Sequence, residues 1–414
     1  MNRSRTSSPG LKHLAFFEAL AESTENTPPY RAATAGLLAL RLVDHWVLAG
    51  PAMVEPESVS VRSVREAIMA IEANDPQRES LLGLVNAMQT QRTVDLQPIL
   101  PRVFAYAGVL ERRRSFALAA DAYRSVVRLG DEEFDATMII DSQMRLGYCL
   151  RKSANLSEAE SAYVGACQIA KRRREKHRLY RAQIGLANVC LSRGNLPKAD
   201  EMLQEVVNAS EADGFRDVSA LALHDHSIVA QQRGDLDSAV CRAYQALQLT
   251  DSEGQRERIL GDLGGFFILM GRFQAARDAL LIEEATATTS QSRHTARINL
   301  LVLATHLQDA AMFESYRQKL SGVELSPEEE SNFLIECARG LGVFGHANEA
   351  QILLAKAQTI ALAHNLNRLA AEADAMLAQP RPSSTTKDRL PTIPSAAAGK
   401  IEIELRSMAA ALVG

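Results

Sequence analysis

Aromatic residues and chain breakers are scarce in this chain of 414 residues. Only 5% of the residues are aromatic, with a single tryptophan, and the chain has 23 glycines and 14 prolines. Residues that favour helices are abundant instead, alanine above all. This composition excludes a collagen-like chain and disfavours a β-sandwich. Global disorder is also disfavoured, because 46% of the residues are hydrophobic.

Motifs of catalysis and metal binding are absent as well. The sequence has no HExxH, no GxxxxGK[ST] and no GxSxG. His224 and His226 lie two positions apart, so on a helix they point about 200° away from each other and cannot share a metal ion. We therefore predict a protein that is not an enzyme and that binds no cofactor and no metal. The five cysteines lack CxxC spacing and are predicted to be reduced core thiols: Cys149, Cys167, Cys190, Cys241 and Cys337.

The charge balance provides no global basic field. The net charge is −4, which argues against nucleic acid as a partner. No apolar stretch typical of a secretory signal follows the first ten residues. The most apolar window, 32–47, is interrupted by Arg41, Asp44 and His45, so we predict no membrane insertion and a cytoplasmic location.

An internal repeat is the strongest pattern in the sequence. Ala119, Ala159, Ala199 and Ala239 stand 40 residues apart, and Ala276 follows after 37 more. Four of these five alanines have a larger apolar residue four positions later, which predicts pairs of helices that pack closely at small residues: Tyr123, Tyr163, Leu203 and Leu280. Gly followed by Asn or Asp in the connecting segments marks the end of one helix and the cap of the next.

The repeated residues resemble the tetratricopeptide repeat in a long-helix variant, because the period is near 40 where ~34 is usual. The unit that matches best contains Leu146, Gly147, Leu150, Ala159, Tyr163 and Ala166. The resemblance implies an all-α fold, a right-handed α-solenoid of antiparallel helical hairpins. It covers residues 101–378, with about seven hairpins. Six extra residues per unit predict longer helices.

The regions outside the repeats have different compositions. Residues 1–12 are predicted to be disordered, and 13–100 to form an N-terminal cap of degenerate repeats. Helices are expected there at 13–22, 30–48, 63–73 and 76–90, the last one capped by Asp75 before Pro76. Residues 379–400, rich in Pro and Ser, predict a flexible linker. Residues 401–414 predict either a frayed tail or a segment that docks on a partner or into the chain's own groove.

Two further segments have both a structural and a functional interpretation. Residues 171–178 are strongly cationic, which indicates a solvated helix end or, alternatively, a surface for an acidic partner. Residues 261–265, with three glycines, fall within a helix by the repeat register. Close helix packing accounts for them better than a glycine-rich binding loop.

The resemblance also implies a binding groove lined by the first helix of each hairpin. Its predicted function is a non-catalytic scaffold that binds a peptide or partner protein in this groove. The alternative is a regulatory protein that senses a ligand or signal peptide and changes the pitch of the solenoid. The sequence leaves a homo-oligomer open. The predicted groove residues are Tyr148, Arg151, Lys152, Arg181, Asn188, His224, Gln231 and Arg258.

Overall fold

The computed structural model describes residues 12–55, 58–364, 366–378 and 395–412, and these contain helices and no β-strand. The chain divides into two compact units, Met1–Lys198 (unit 1) and Ala199–Gly414 (unit 2). The helices of unit 1 are α1 (Leu14–Glu22), α2 (Pro28–Ala49), α3 (Val59–Met69), α4 (Pro76–Gln89), α5 (Leu100–Arg112), α6 (Phe116–Leu129), α7 (Glu132–Lys152), α8 (Leu156–Arg173) and α9 (Lys176–Ser192).

The division between the units falls in the first turn of α10 (Leu196–Ala212). The helices that follow it in unit 2 are α11 (Arg216–Gln232), α12 (Leu236–Leu249), α13 (Glu253–Leu269), α14 (Phe273–Thr286), α15 (Ser290–Leu307), α16 (Ala310–Leu320), α17 (Pro327–Val343), α18 (Ala347–Ala363), α19 (Asn367–Leu377) and α20 (Ala396–Ala411).

Within each unit, consecutive helices pack as hairpins and the hairpins stack. In unit 1, α5 packs on α6 and α7 on α8, while the first helices α5, α7 and α9 contact one another in turn. In unit 2 the hairpins are α11–α12, α13–α14, α15–α16 and α17–α18, and their first helices contact one another in the same way. The prediction of an all-α solenoid is therefore confirmed. We call the surface formed by the first helices of a unit its first-helix face.

The repeat register predicted from the alanines is confirmed by burial. Ala159, Ala199 and Ala239 are completely buried. The ring of Tyr163 on α8 lies between two glycines of neighbouring first helices. A Cβ atom built on Gly147 would stand 2.7 Å from Tyr163 Cε2, and one built on Gly185 would stand 2.1 Å from Tyr163 Cε1. No side chain fits at either glycine beside this ring, and the spacing between helices depends on their small size.

The loops between helices follow the chemistry that their sequences predicted. Gly194 and Gly234 adopt φ values of 76° and 80°, a left-handed conformation that glycine tolerates without steric cost. The side chain of Asp235 then accepts a hydrogen bond from the Ser238 amide at 3.1 Å and caps α12. Each such loop ends one helix and starts the next within a few residues.

The N-terminal region forms α1 to α4, which pack with α6 around a core that includes the buried Trp46. The predicted cap of α4 is confirmed, because Asp75 accepts a hydrogen bond from the Gln77 amide at 2.9 Å. The predicted start of α3 at residue 63 is wrong. Ser58 caps the helix by accepting a hydrogen bond from the Val61 amide, so α3 begins four residues earlier. Of the predicted disordered start, residues 1–11 lie outside the described residues.

Helix α2 is long and apolar enough to cross a membrane, with a mean hydropathy of 1.3 over its best window. The polar residues Arg41, Asp44 and His45 therefore do not by themselves exclude a membrane-spanning helix. In the structure, however, this helix forms the centre of the N-terminal core. Leu40, Val43 and Trp46 are at most 1% exposed, and 56% of the window is buried. Packing inside a folded unit accounts for the apolar character of α2.

The end of the chain folds back onto unit 2. Residues 379–394 of the predicted linker lie outside the described residues, but 395–400 are not linker. Ser395 caps α20 by accepting a hydrogen bond from the Ala398 amide at 3.2 Å, and the helix continues to Ala411. It packs against α12 and α14. The segment predicted as a frayed tail or a docking element is therefore a helix docked on its own chain.

The cysteines are all free thiols. Three of them are buried and two are half-buried, which agrees with the predicted core positions. Burial raises the pKa of Cys149 to about 12 and that of Cys167 to about 11. A thiol with a raised pKa is a poor nucleophile at neutral pH, so these two side chains act as small apolar groups.

Candidate functional site

The predicted groove residues all lie on first helices, but in two separate units. In unit 1, α7 carries Tyr148 and two cations, and α9 carries a further cation and an amide. In unit 2, α11 carries a histidine and an amide, and α13 an arginine. By helix, the predicted residues are Tyr148, Arg151 and Lys152 on α7, Arg181 and Asn188 on α9, His224 and Gln231 on α11, and Arg258 on α13.

The structure groups the α7 residues with the start of α6. The ring of Phe116 meets that of Tyr148 edge to face, with 6.0 Å between their centroids. The Arg151 guanidinium lies 5.7 Å and the Lys152 ammonium 5.8 Å from the Tyr148 centroid. The Arg114 guanidinium lies 5.9 Å from the Phe116 centroid. We call these five residues the aromatic patch.

The electrostatics of the aromatic patch favour a negatively charged partner. Burial raises the pKa of Tyr148, with a further contribution from the charge of Glu111, so its hydroxyl stays protonated. Arg151 Nε is buried and has no hydrogen-bond partner in the part of the chain that is described. A guanidinium held over an aromatic ring can still form a bidentate contact with a carboxylate. Sequence reasoning found Tyr148 and its cations but did not place Phe116 and Arg114 in the site, because only the fold brings these two residues beside Tyr148.

Helix α9 presents Arg181 and Asn188 two turns apart on one side. Arg181 is exposed and Asn188 is half-buried. Ile184, between them, is only 2% exposed and belongs to the core. The guanidinium of Arg181 and the amide of Asn188 can form hydrogen bonds with a carboxylate or a peptide backbone.

In unit 2 the predicted residues are less accessible than expected. His224 is 7% exposed, and its Nε2 lies 2.7 Å from a carboxylate oxygen of Asp262 on α13. The prediction that His224 lines an open surface is therefore corrected: it joins two first helices, and Asp262, with 40% of its side chain exposed, is the accessible member of the pair. Arg258 is exposed and donates to the Gly254 carbonyl of its own helix at 3.2 Å, while Gln231 is half-buried.

The two histidines of the 224–226 segment have different partners. His226 Nε2 lies 2.7 Å from Asp200, whereas His224 contacts Asp262. This geometry agrees with the opposite directions expected from the helix. Burial lowers the pKa of His226 despite its hydrogen bond to Asp200. Among the described residues, no group of three or more His, Cys, Asp or Glu side chains is arranged to hold a metal ion.

A buried carboxyl group that sequence reasoning missed lies behind α13. Glu283 on α14 is 2% exposed, and its Oε2 has no hydrogen-bond partner among the residues described. Its carboxyl oxygens would stand 3.2 Å from a Cβ atom on Gly261, so this glycine provides the space that the carboxyl occupies. Burial, helped by the charges of Asp262 and Glu257, raises the pKa of Glu283 to about 8. The group is therefore mainly protonated at neutral pH.

The glycines of residues 261–265 lie in the middle of α13, as predicted. Gly261 and Gly264 lie against side chains of α14, whereas a Cβ atom on Gly265 would have no neighbour within 4 Å. A Cβ atom on Gly264 would stand 2.5 Å from Leu280 Cδ2 on α14.

The cationic run at 171–178 is largely paired within its own unit. Arg172 forms two hydrogen bonds with Glu132, and Arg178 forms two with Asp141. These pairs support the interpretation of residues 171–178 as a structural helix end.

Comparisons with known proteins show likeness in fold and not in sequence. No protein-family model matches the chain, and no curated protein matches it. Among solved structures, a Rap protein complexed with competence and sporulation factor covers 82% of this chain and 99% of its own, with a TM-score of 0.50 and 13% identity. The Rap conjugation gene regulator of plasmid pLS20 in complex with the Phr* peptide has 12% identity and a TM-score of 0.49, covering 79% of this chain and 97% of its own.

A third structure, the apo form of RapI, has 14% identity and a TM-score of 0.48 over 67% of this chain and 97% of its own. The fold likeness to the Rap protein with competence and sporulation factor agrees with the stacked hairpins described above. The class of protein that the fold defines is thus an all-α solenoid of stacked helical hairpins.

Proposed function

We propose that this protein is a non-catalytic, cytoplasmic member of the tetratricopeptide-repeat family in its long-helix variant, and that it binds a peptide or a segment of a partner protein. The aromatic patch on α6 and α7 is the observation that supports this function. Two aromatic rings bordered by three cations form a surface for a carboxylate next to an apolar side chain. The Rap protein of similar fold was solved with competence and sporulation factor, which supports a binding role.

The packing of α7 supports tight binding at this surface. Tyr148 is fixed by Phe116 on one side and the hairpin core on the other, so its ring loses little freedom when a ligand docks. Preorganised side chains reduce the entropy that opposes association. Arg181 and Asn188 on the neighbouring first helix α9 extend the surface with a cation and an amide. The amide suits the backbone of an extended peptide.

A selection from a random heptapeptide display library against the full chain tests the proposal. We expect enrichment of peptides that combine a carboxylate with an apolar residue, and we expect their affinity to fall with rising salt. The selected peptide, labelled with fluorescein, is then titrated with the variants Tyr148→Ala and Arg151→Gln. Each substitution should weaken binding roughly tenfold. Arg181→Ala and Asn188→Ala should weaken it while leaving helicity unchanged.

The matched control is Arg124→Gln, which removes an exposed arginine of α6 that pairs with Glu158. Its side chain is 47% exposed, and it stands outside the patch. Binding should be unaffected by this change. Selection of no peptide, or a selected peptide that binds every variant equally, would contradict the assignment of the site.

The fold likeness to the Rap protein also favours a second function, that of a regulator which senses a signal peptide and changes the pitch of the solenoid. Small-angle X-ray scattering with the selected peptide separates the two functions. A rigid scaffold keeps its radius of gyration when the peptide binds, whereas a sensor changes it.

A further inference from the structure

The docked helix α20 is held largely by polar contacts with residues distant in the chain. Arg272 at the start of α14 forms a two-pronged contact with Glu402, with Nε–Oε1 at 2.7 Å and Nη2–Oε2 at 2.8 Å. The hydroxyl group of Tyr244 on α12 donates a hydrogen bond to the Glu404 carboxylate. Bidentate guanidinium–carboxylate pairs fix geometry as well as charge, so these contacts set the register of α20 on its surface.

The apolar part of this contact is small. The buried side chains of α20 are Ala398, Ile401 and Leu405, which recur at i, i+3 and i+7 along one stripe. Ile403, by contrast, is 67% exposed. Gly399, inside the first turns, lowers the intrinsic helix propensity of the segment. Two large apolar side chains, Ile401 and Leu405, are therefore buried, and Met408 is half-buried. The attachment of α20 to the same chain supplies the high effective concentration that makes such weak contacts sufficient.

One polar group at this surface is incompletely satisfied. Asp278 on α14 is 5% exposed, and its Oδ1 accepts a hydrogen bond from Gln274 at 2.9 Å. Its Oδ2 has no hydrogen-bond partner among the described residues, and the nearest cation, Arg406 Nε of α20, stands 3.8 Å away. A buried carboxylate oxygen without a hydrogen bond is costly. A helix with a better-placed cation at this position would bind the surface more tightly than α20 does.

We propose that the surface of α12 and α14 under α20 is a helix-docking site that α20 occupies in exchange with a helix of a partner protein. The partner helix carries apolar residues at i, i+3 and i+7, glutamates at i+4 and i+6, and a cation that reaches Asp278. Because α12 and α14 are second helices of their hairpins, this site is separate from the first-helix face and does not depend on the function proposed for it.

The test uses the full chain and a fluorescein-labelled synthetic peptide of residues 395–412. The chain variant Ile401→Asp with Leu405→Asp removes both apolar anchors and vacates the site. We expect the peptide to bind this variant at least tenfold more tightly than the wild-type chain, in which α20 competes. Equal binding to both chains, or none to the variant, would overturn the proposal.

Charge reversal identifies the docking geometry. A peptide with Glu402→Arg should bind the vacated chain at least tenfold more weakly, and Arg272→Glu introduced into that chain should restore its binding. The control peptide with Ile403→Ala changes an exposed position and should bind like the original. Failure of the reversed pair to recover affinity would rule out the Arg272–Glu402 contact as the determinant.

Hydrogen exchange on the wild-type chain provides a measurement that needs no variant. Amides of α20 should exchange at least tenfold faster than those of α14, and faster still with excess peptide, because the peptide prevents re-docking. Equal protection of α20 and α14 would show that α20 is a permanent part of unit 2. A concentration-dependent dimer that Arg272→Glu abolishes would also overturn the proposal, because the exchange would then be between copies of this chain.

Discussion

Replacing Gly147 by alanine should destabilise the protein, although alanine is the better helix former. The added Cβ atom would stand 2.7–2.9 Å from three atoms of the Tyr163 ring. The ring cannot retreat, because its other edge lies against Gly185. Overpacking of this kind costs about 1–3 kcal/mol, while the gain in helix propensity is about 1 kcal/mol. We therefore expect a net loss of up to about 2 kcal/mol, and a larger one for Gly147→Leu.

Gly83→Ala is the matched control for this prediction. Gly83 lies inside α4, and a Cβ atom there has no neighbour within 4 Å. This change should stabilise the protein by about 0.5–1 kcal/mol, since only the propensity contributes. Urea unfolding followed by circular dichroism measures both variants. The double variant Gly147→Ala with Tyr163→Leu should recover part of the loss, because the smaller side chain releases the space.

The reasoning would be refuted if Gly147→Ala were as stable as Gly83→Ala. That result would mean that α7 and α8 separate at no cost, or that the ring of Tyr163 has another position. Unfolding intermediates can be populated in repeat arrays. The free energies of unfolding of the two variants are therefore compared in the same transition, the one that Gly83→Ala shifts.

Two predictions concern buried ionisable groups. Burial alone would lower the pKa of His13, but its hydrogen bond to Asp121 at 2.8 Å and the Asp44 carboxylate, 3.5 Å from His13 Nε2, raise it. The contribution of His13 to stability is thus complete below pH 6.5 and is lost as the pH rises through the raised pKa. In thermal melting, His13→Gln should therefore lower the melting temperature more at pH 6 than at pH 9. The pKa of Glu283 is raised to about 8, so its penalty grows from pH 4.5 to pH 8. Glu283→Gln should then stabilise the chain by on the order of 3 kcal/mol more at pH 8.5 than at pH 5 in urea unfolding, and an equal difference at both pH values would contradict this.

The periodic part of the fold could be predicted from sequence because each repeat contains the residues that determine its packing. Ala159 and Gly147 had to be small where helices cross, and Tyr163 had to fill the space between them. The same spacing recurs in neighbouring units, so the register follows from the pattern alone. The α3 boundary was missed because a single capping hydrogen bond at Ser58 determines it, and one residue carries no periodicity.

The candidate site was only partly predictable, because exposure depends on the neighbouring helix. Position in the repeat placed Tyr148 and His224 on equivalent first helices. His224 is nevertheless buried, since α13 supplies Asp262 as a hydrogen-bond partner. The pairing of Phe116 with Tyr148 joins residues 32 positions apart in the chain. The contact of α20 with Arg272 joins residues more than a hundred positions apart. Contacts of this range leave no local pattern in the sequence.

The return of α20 to the middle of unit 2 also affects the order of events during synthesis. Helices α12 and α14 leave the ribosome well before the segment that covers them, because Arg272 and Glu402 are 130 residues apart and Tyr244 and Glu404 are 160 apart. At about 5–20 residues per second, the covered surface stays open to water for roughly 6 to 30 seconds. A nascent chain therefore displays this surface to other molecules before its own helix can close it.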